Sequence, residues 1–117
     1  MTTFDFMYLP VPDLTAALAF YRDTLGWEEG WREGDTTATI KFPGASVQLM
    51  LDVDADGTGR PGPMLAVDDC RAWLAERIGM FEVVGDPAEI PGGWWAAFED
   101  PFGNVVYVVD QSTATDG

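Results

Sequence analysis

Histidine is absent from the 117 residues of this chain. That removes the Ser–His and Cys–His catalytic pairs, the usual zinc and non-haem iron sites, and the commonest general base at neutral pH. Cysteine occurs once, as Cys70, so there is no intrachain disulfide and no Cys-x-x-Cys motif. Cations are scarce: 6 Lys+Arg stand against 20 Asp+Glu, for a formal charge of −14. Nucleic-acid binding needs basic residues to displace counterions from phosphates, and six scattered cations argue against it. An anionic membrane surface is disfavoured for the same reason. No apolar run approaches the ~20 residues of a membrane span. The start, Met1-Thr2-Thr3-Phe4-Asp5, lacks the basic residues of a secretion leader, and the expected location is cytoplasmic.

What is present is ordinary globular material, 47% hydrophobic and 22% charged. A chain this short buries roughly two-thirds of its unfolded surface, which leaves little for a deep private pocket. Its acidic field favours cationic or neutral ligands, although solubility alone accounts for such a charge equally well.

Residues 4–11 read as a strand, apolar and aromatic throughout. Asp13 is a candidate N-cap for a helix carried by Leu14, Leu18, Tyr21 and Leu25, with Gly26 at its end. Strand-like segments follow at about 27–33, 36–43 and 46–52, and then a loop rich in Gly, Pro and Asp. The pattern restarts with a strand over 64–67. Asp68 or Asp69 caps a second helix carried by Cys70, Trp73, Leu74 and Ile78 and ended by Gly79. Strands near 81–85, 93–99 and 104–110 complete it, and residues after 110 read as a frayed tail. VPDLTAALA (11–19) set against VDDCRAWLA (67–75) matches Val11 with Val67, Asp13 with Asp69, Ala16 with Ala72, Leu18 with Leu74 and Ala19 with Ala75. The order βαβββ therefore occurs twice, an internal duplication.

Two stretches resemble a known family. VPDLTAALAFYRDTLGW (11–27) is similar to the first-helix signature of the vicinal oxygen chelate superfamily, and EDPFGNVVYVVD (99–110) to its final hairpin. That superfamily includes glyoxalase I, extradiol dioxygenases, and the fosfomycin- and bleomycin-resistance proteins. The resemblance implies an α+β fold of two tandem βαβββ modules, 1–52 and 63–110, joined by loop 53–62 in a single domain over 1–117. It also implies curved mixed sheets forming a cup, and a homodimer.

In the family's metal enzymes four strands supply one ligand each. Carried over, those positions fall on Phe6, Gln48, Gly62 and Tyr107. Phe6 and Gly62 have no donor side chain, Gln48 offers a neutral carbonyl, and Tyr107 a protonated phenol. An all-carboxylate magnesium site is the metal alternative left open.

Strand alternation indicates what fills the cup instead. Phe4, Phe6 and Tyr8 share one face of the first strand; Ser46, Gln48, Met50 and Asp52 share another, as do Val105, Tyr107 and Val109. Of five tryptophans, Trp73 belongs on the apolar face of its helix. Trp27 and Trp31 fall on one face of their strand, and only one of the neighbours Trp94 and Trp95 can face the cup. Indole faces stack on planar ligands and attract cations, and they equally suit core or interface packing.

Three further signals carry no function. Asp52-x-Asp54-x-Asp56-Gly57 resembles the start of a calcium loop, but Pro63 stands where the bidentate glutamate belongs. Gly57-x-Gly59-x-x-Gly62 matches a dinucleotide fingerprint but precedes a proline and a strand rather than a helix. Cys70 lies beside two aspartates, which disfavours a thiolate.

The expectation is a metal-free, cofactor-free binding protein of the bleomycin-resistance type. It takes a small aromatic or cationic molecule, such as an antibiotic, on Phe6, Tyr8, Trp31, Gln48, Met50, Trp94, Trp95 and Tyr107. The alternative is a lyase, isomerase or dioxygenase of the same superfamily with an atypical site, using a carboxylate such as Glu99 or a tyrosine. A third reading is a vestigial cleft in a protein that acts through partners.

Overall fold

Alternation along the first strand determines how the first half of the chain is built. Met7, Leu9 and Val11 pack with the buried Leu14 and Leu18 of the helix that follows, while Phe6 and Tyr8 point the other way. A computed structural model describes residues 2–54 and 59–113. Its order is β1 (Thr3–Val11), α1 (Leu14–Leu18), β2 (Glu29–Glu33), β3 (Thr37–Lys41), β4 (Gln48–Val53), β5 (Gly62–Ala66), α2 (Cys70–Ala75), β6 (Glu82–Ile90), β7 (Gly93–Glu99) and β8 (Val105–Val109). This is an α+β fold with the βαβββ order repeated. Contacts divide it into two units, residues 5–61, and residue 62 onward together with the first residues of the chain.

In the first module the strands run in the order β2-β3-β4-β1. β1 lies parallel to β4, and β3 is antiparallel to both β4 and β2. The core on the helix side is Leu14 and Leu18 against Ala38, Ile40, Leu49 and Leu51. Asp13 caps α1, accepting from the Thr15 N–H at 3.0 Å. After Leu18 the helix widens to a π-helical segment, Ala19–Thr24. It closes on Gly26 (φ 76°), where the Trp27 N–H reaches back to the Tyr21 carbonyl at 3.1 Å.

The second module repeats the plan as β5-β8-β7-β6, with β5 parallel to β8 and β7 antiparallel to both β8 and β6. Val67, Cys70, Leu74, Ala96 and Val108 form its core, lined by Trp73, Phe81, Trp94 and Phe98. Of the two candidate caps, Asp69 starts α2, accepting from the Ala72 N–H at 3.1 Å.

Several expectations need correction. α2 ends at Ala75, and Ile78 is 83% exposed instead of lying on the buried face. β6 runs on to Ile90 through Asp86 and Pro87, because two bulges break its register with β7 and spare Pro87 a ladder bond. Trp27 precedes β2 and packs on the helix-side core, whereas Trp31 lies on the opposite face; the bulge between Glu29 and Arg32 upsets simple alternation. Residues 111–113 are tied down, with the Thr113 N–H on the Gly92 carbonyl at 3.0 Å. Residues 114–117 of the expected tail, and Asp56 and Gly57 of the two rejected loop strings, lie outside the described residues. Among the described residues no helix is long and apolar enough to cross a membrane.

One buried carboxylate organises the second module. Asp110, 2% exposed, follows β8. It accepts from the N–H groups of Cys70 (2.6 Å), Trp94 (3.0 Å) and Ser112 (3.1 Å) and from the Ser112 hydroxyl (2.9 Å). Gly93 is required beside it, because a Cβ there would run into the Asp110 carbonyl and carboxylate. Burial pulls the Asp110 carboxyl upward, but the hydrogen bonds from Cys70, Ser112 and Trp94 outweigh it and hold the pKa below the ordinary aspartate range. A carboxyl lowered in the folded state stabilises fully above its unfolded pKa, near pH 4, and loses that contribution as pH falls through the lowered folded value. Asp110→Asn should therefore cost about 1–3 kcal/mol at pH 7. In urea unfolding, its gap to the parent should narrow below about pH 4; a gap independent of pH would show that the charge contributes nothing.

Candidate functional site

Register carries the first module's non-helical face residue by residue. Across β1, β4 and β3 the Cα partners form three rows: Phe6–Gln48–Lys41, Tyr8–Met50–Thr39 and Pro10–Asp52–Thr37. Partners on neighbouring strands point to the same side, so five of the eight expected ligand-binding residues meet here: Phe6, Tyr8, Gln48, Met50 and, from β2, Trp31. The Trp31 ring stands edge-on to Phe6, with centroids 5.9 Å apart at 86°, and its backbone N–H donates to Thr39 Oγ1 at 2.9 Å. Trp31 is 39% exposed, and Phe6, Tyr8, Gln48 and Met50 are half-buried.

Gly30 makes this corner possible. A Cβ on it would overlap Gln48 Oε1 and Thr39 Oγ1. The Gln48 Oε1 atom is buried there without a hydrogen-bond partner. Further along β4, the Tyr8 hydroxyl donates to Asp52 Oδ2 at 2.7 Å and the Thr37 hydroxyl to Asp52 Oδ1 at 2.6 Å. Asp52 belonged to the acidic string that resembled a calcium loop. It is instead the polar centre of this face, and its place on the Gln48–Met50 face was the sequence signal for it.

Arg22, Arg32 and Lys41 of this module pair elsewhere. Glu29 accepts from Arg22 at 2.7 Å and from Arg32 at 3.0 Å, and hydrogen bonds from Arg32 and then Arg22 hold its pKa below the ordinary range. Lys41 pairs with Glu28 at 2.5 Å.

The other three expected residues lie in the second module, and they separate. Tyr107, partnered by Met64 and Ala97, is buried, and its ring is 6.1 Å from that of Trp95. Trp94 turns to the helix side, with the Arg71 guanidinium 4.2 Å over its ring. Trp95 is thus the tryptophan of the pair that shares the Tyr107 face. A cavity of about 190 Å³ on this module is lined by Thr2, Val67, Asp68, Asp69, Ala72, Trp73 and Glu76, none of them an expected site residue. Cys70 is fully buried; burial, then the charges of Asp110 and Asp69, push its thiol up to about 11, so it is no nucleophile.

Comparison with known proteins agrees with this architecture. The sequence profile of the Glyoxalase/Bleomycin resistance protein/Dioxygenase superfamily matches residues 3–108. Comparison with curated protein sequences gives no match. Among solved structures, the fold is similar to that of a Streptomyces coelicolor methylmalonyl-CoA epimerase (21% identity, TM-score 0.66, 93% of this chain and 96% of that one). It is also similar to a hypothetical protein of Bacillus halodurans C-125 (12%, 0.71, 99% and 99%). A third likeness is to a glyoxalase/bleomycin resistance protein/dioxygenase superfamily member of Vibrio splendidus 12B01 (16%, 0.64, 94% and 99%). At these identities the likeness is one of fold.

The donor set does not fit the metal that the family's metal enzymes hold. Phe6 has no donor, and Gly62 has no room for one, since a Cβ there would sit 2.5 Å from the Val105 carbonyl oxygen. Among the described residues, no three His, Cys, Asp or Glu side chains gather into a metal-holding group. Gly30→Ala should disrupt the Gln48–Thr39 corner, cost about 1–3 kcal/mol in urea unfolding and shift the Trp31 emission. Stability and emission equal to the parent's would show that the corner tolerates a methyl group.

Proposed function

We propose that this chain, which belongs to the Glyoxalase/Bleomycin resistance protein/Dioxygenase superfamily, binds a small flat aromatic or cationic molecule without a metal. Sequestration of an antibiotic is one use of such binding. The observation that carries this reading is the non-helical face of the first module. There Phe6 and Trp31 make a half-exposed aromatic corner beside the polar groups of Tyr8, Gln48 and Asp52. Apolar walls with a few placed polar groups are the usual composition of a small-molecule site. Trp31 offers a face for stacking, and π-faces near carboxylates attract cations. In the second module, Trp95 and Tyr107 offer a further aromatic pair.

The proposal extends to a homodimer. Ile78, Met80 and Phe102 are 83%, 71% and 86% exposed, apolar surface that a second copy would cover. Light scattering of the purified protein should then give twice the 12.8 kDa of one chain; the mass of a single chain would remove this extension.

Fluorescence titration with cationic glycopeptide and quinone antibiotics tests the binding itself. Quenching should saturate for at least one compound and survive EDTA treatment. Trp31→Ala should weaken that binding by about tenfold. No quenching across the panel sinks the proposal, and affinity that disappears with chelation sinks its metal-free part.

A further inference from the structure

We infer that Asp52 is the specificity-determining residue of the first module's non-helical face, selecting ligands that carry a protonated amine on an aromatic body. This deepens the small-molecule reading above and rests on it. Asp52 is half-buried, and its two hydrogen-bond donors, Tyr8 and Thr37, are both neutral hydroxyls. They orient the carboxylate and supply no countercharge to it. Each donor occupies one oxygen, and an ionised carboxylate has about four acceptor positions, so two remain for a ligand N–H.

Three cations of the first module are held by other carboxylates. Arg22 and Arg32 are held by Glu29, and Lys41 by Glu28. Among the described residues, no basic side chain pairs with Asp52. If bracing β1, β4 and β3 together were the whole role, a neutral acceptor would serve without the cost of a partly desolvated charge. The neighbours of the carboxylate complete the specification. Tyr8 reaches it directly, and the Phe6–Trp31 corner begins at Gln48, four residues back along β4 and about 13 Å away. A ligand with a ring at one end and an ammonium at the other spans that distance. The shared chemistry is an arylalkylammonium, whose positive end meets Asp52 and whose ring meets Trp31.

Isothermal titration calorimetry with 4-(1-naphthyl)butylammonium and the neutral 4-(1-naphthyl)butanol, at fixed physiological salt, tests the assignment. The parent should bind the ammonium about tenfold or more tightly than the alcohol. Asp52→Asn should equalise the two by weakening ammonium binding. Glu76→Gln, which removes one negative charge from the second module, should keep the preference, separating a local contact from the general acidic field. Thr37→Val, which frees one carboxylate oxygen, should raise the preference severalfold. This variant decides the matter if circular dichroism shows Asp52→Asn unfolded: an unchanged preference then overturns the inference. A folded Asp52→Asn that still prefers the ammonium overturns it too, as does a parent that binds both compounds equally, and in either case the aromatic-site reading stands. If neither compound binds the parent, the binding reading fails and the inference with it.

Discussion

The parallel pairing of a module's first strand with its last constrains everything else in the molecule. With Phe6 opposite Gln48 and Tyr8 opposite Met50, every odd residue of β1 from Met7 to Val11 is committed to the helix side. A slip of one residue would put Met7 and Leu9 on the face that now holds Phe6 and Tyr8, and would carry the aromatic and polar groups into the core. The core and the candidate site are thus two faces of one register. The same pairing in the second module, Met64 opposite Tyr107, places Tyr107 and Trp95 on one side and Val108 and Ala96 on the other.

That constraint separates the positions that build the core from those carried over as metal ligands. The core depends on the helix-facing positions, so residues on the opposite face change without disturbing it. Phe6 is an apolar ring at a position carried over as a metal ligand, and it packs against Trp31. At Gly62, the backbone of the neighbouring strand comes so close that no side chain fits. A polar centre of the face lies further along β4 at Asp52, held by hydroxyls from β1 and β3. Fold and chemistry are inherited separately here, as they are across large superfamilies generally.

Much of this was legible in the sequence, and the exceptions have physical causes. The first N-cap, a choice of Asp68 or Asp69 for the second, and the duplicated order followed from Asp13 and the spacing of Leu14, Leu18 and Leu74, because caps and periodicity are local signals. Alternation placed Phe6, Tyr8, Gln48 and Met50 on one face correctly. It failed at Trp27 and Trp31, since a bulge is a property of two strands together and leaves little trace in one. It could not choose between Trp94 and Trp95, because parity there is set by the register of β7 on β8, in which Ala96 partners the buried Val108. Asp52 was hidden in an acidic run whose residues resemble a solvated loop. Alternation set it on the Gln48–Met50 face, and its partners, the hydroxyls of Tyr8 and Thr37, come from strands distant in sequence.

The Asp110 clamp has a consequence for biosynthesis. The first turn of α2 begins at Cys70, and the carboxylate that receives its N–H lies 40 residues downstream. The first module needs nothing beyond β4, which ends at Val53, to close its parallel pair. As the chain leaves the ribosome, the leading half can assume its structure while the trailing helix still waits for its anchor. The second module's own parallel pair waits likewise for β8, Val105–Val109, so there is a stretch of synthesis during which one repeat has all its strands and its twin does not.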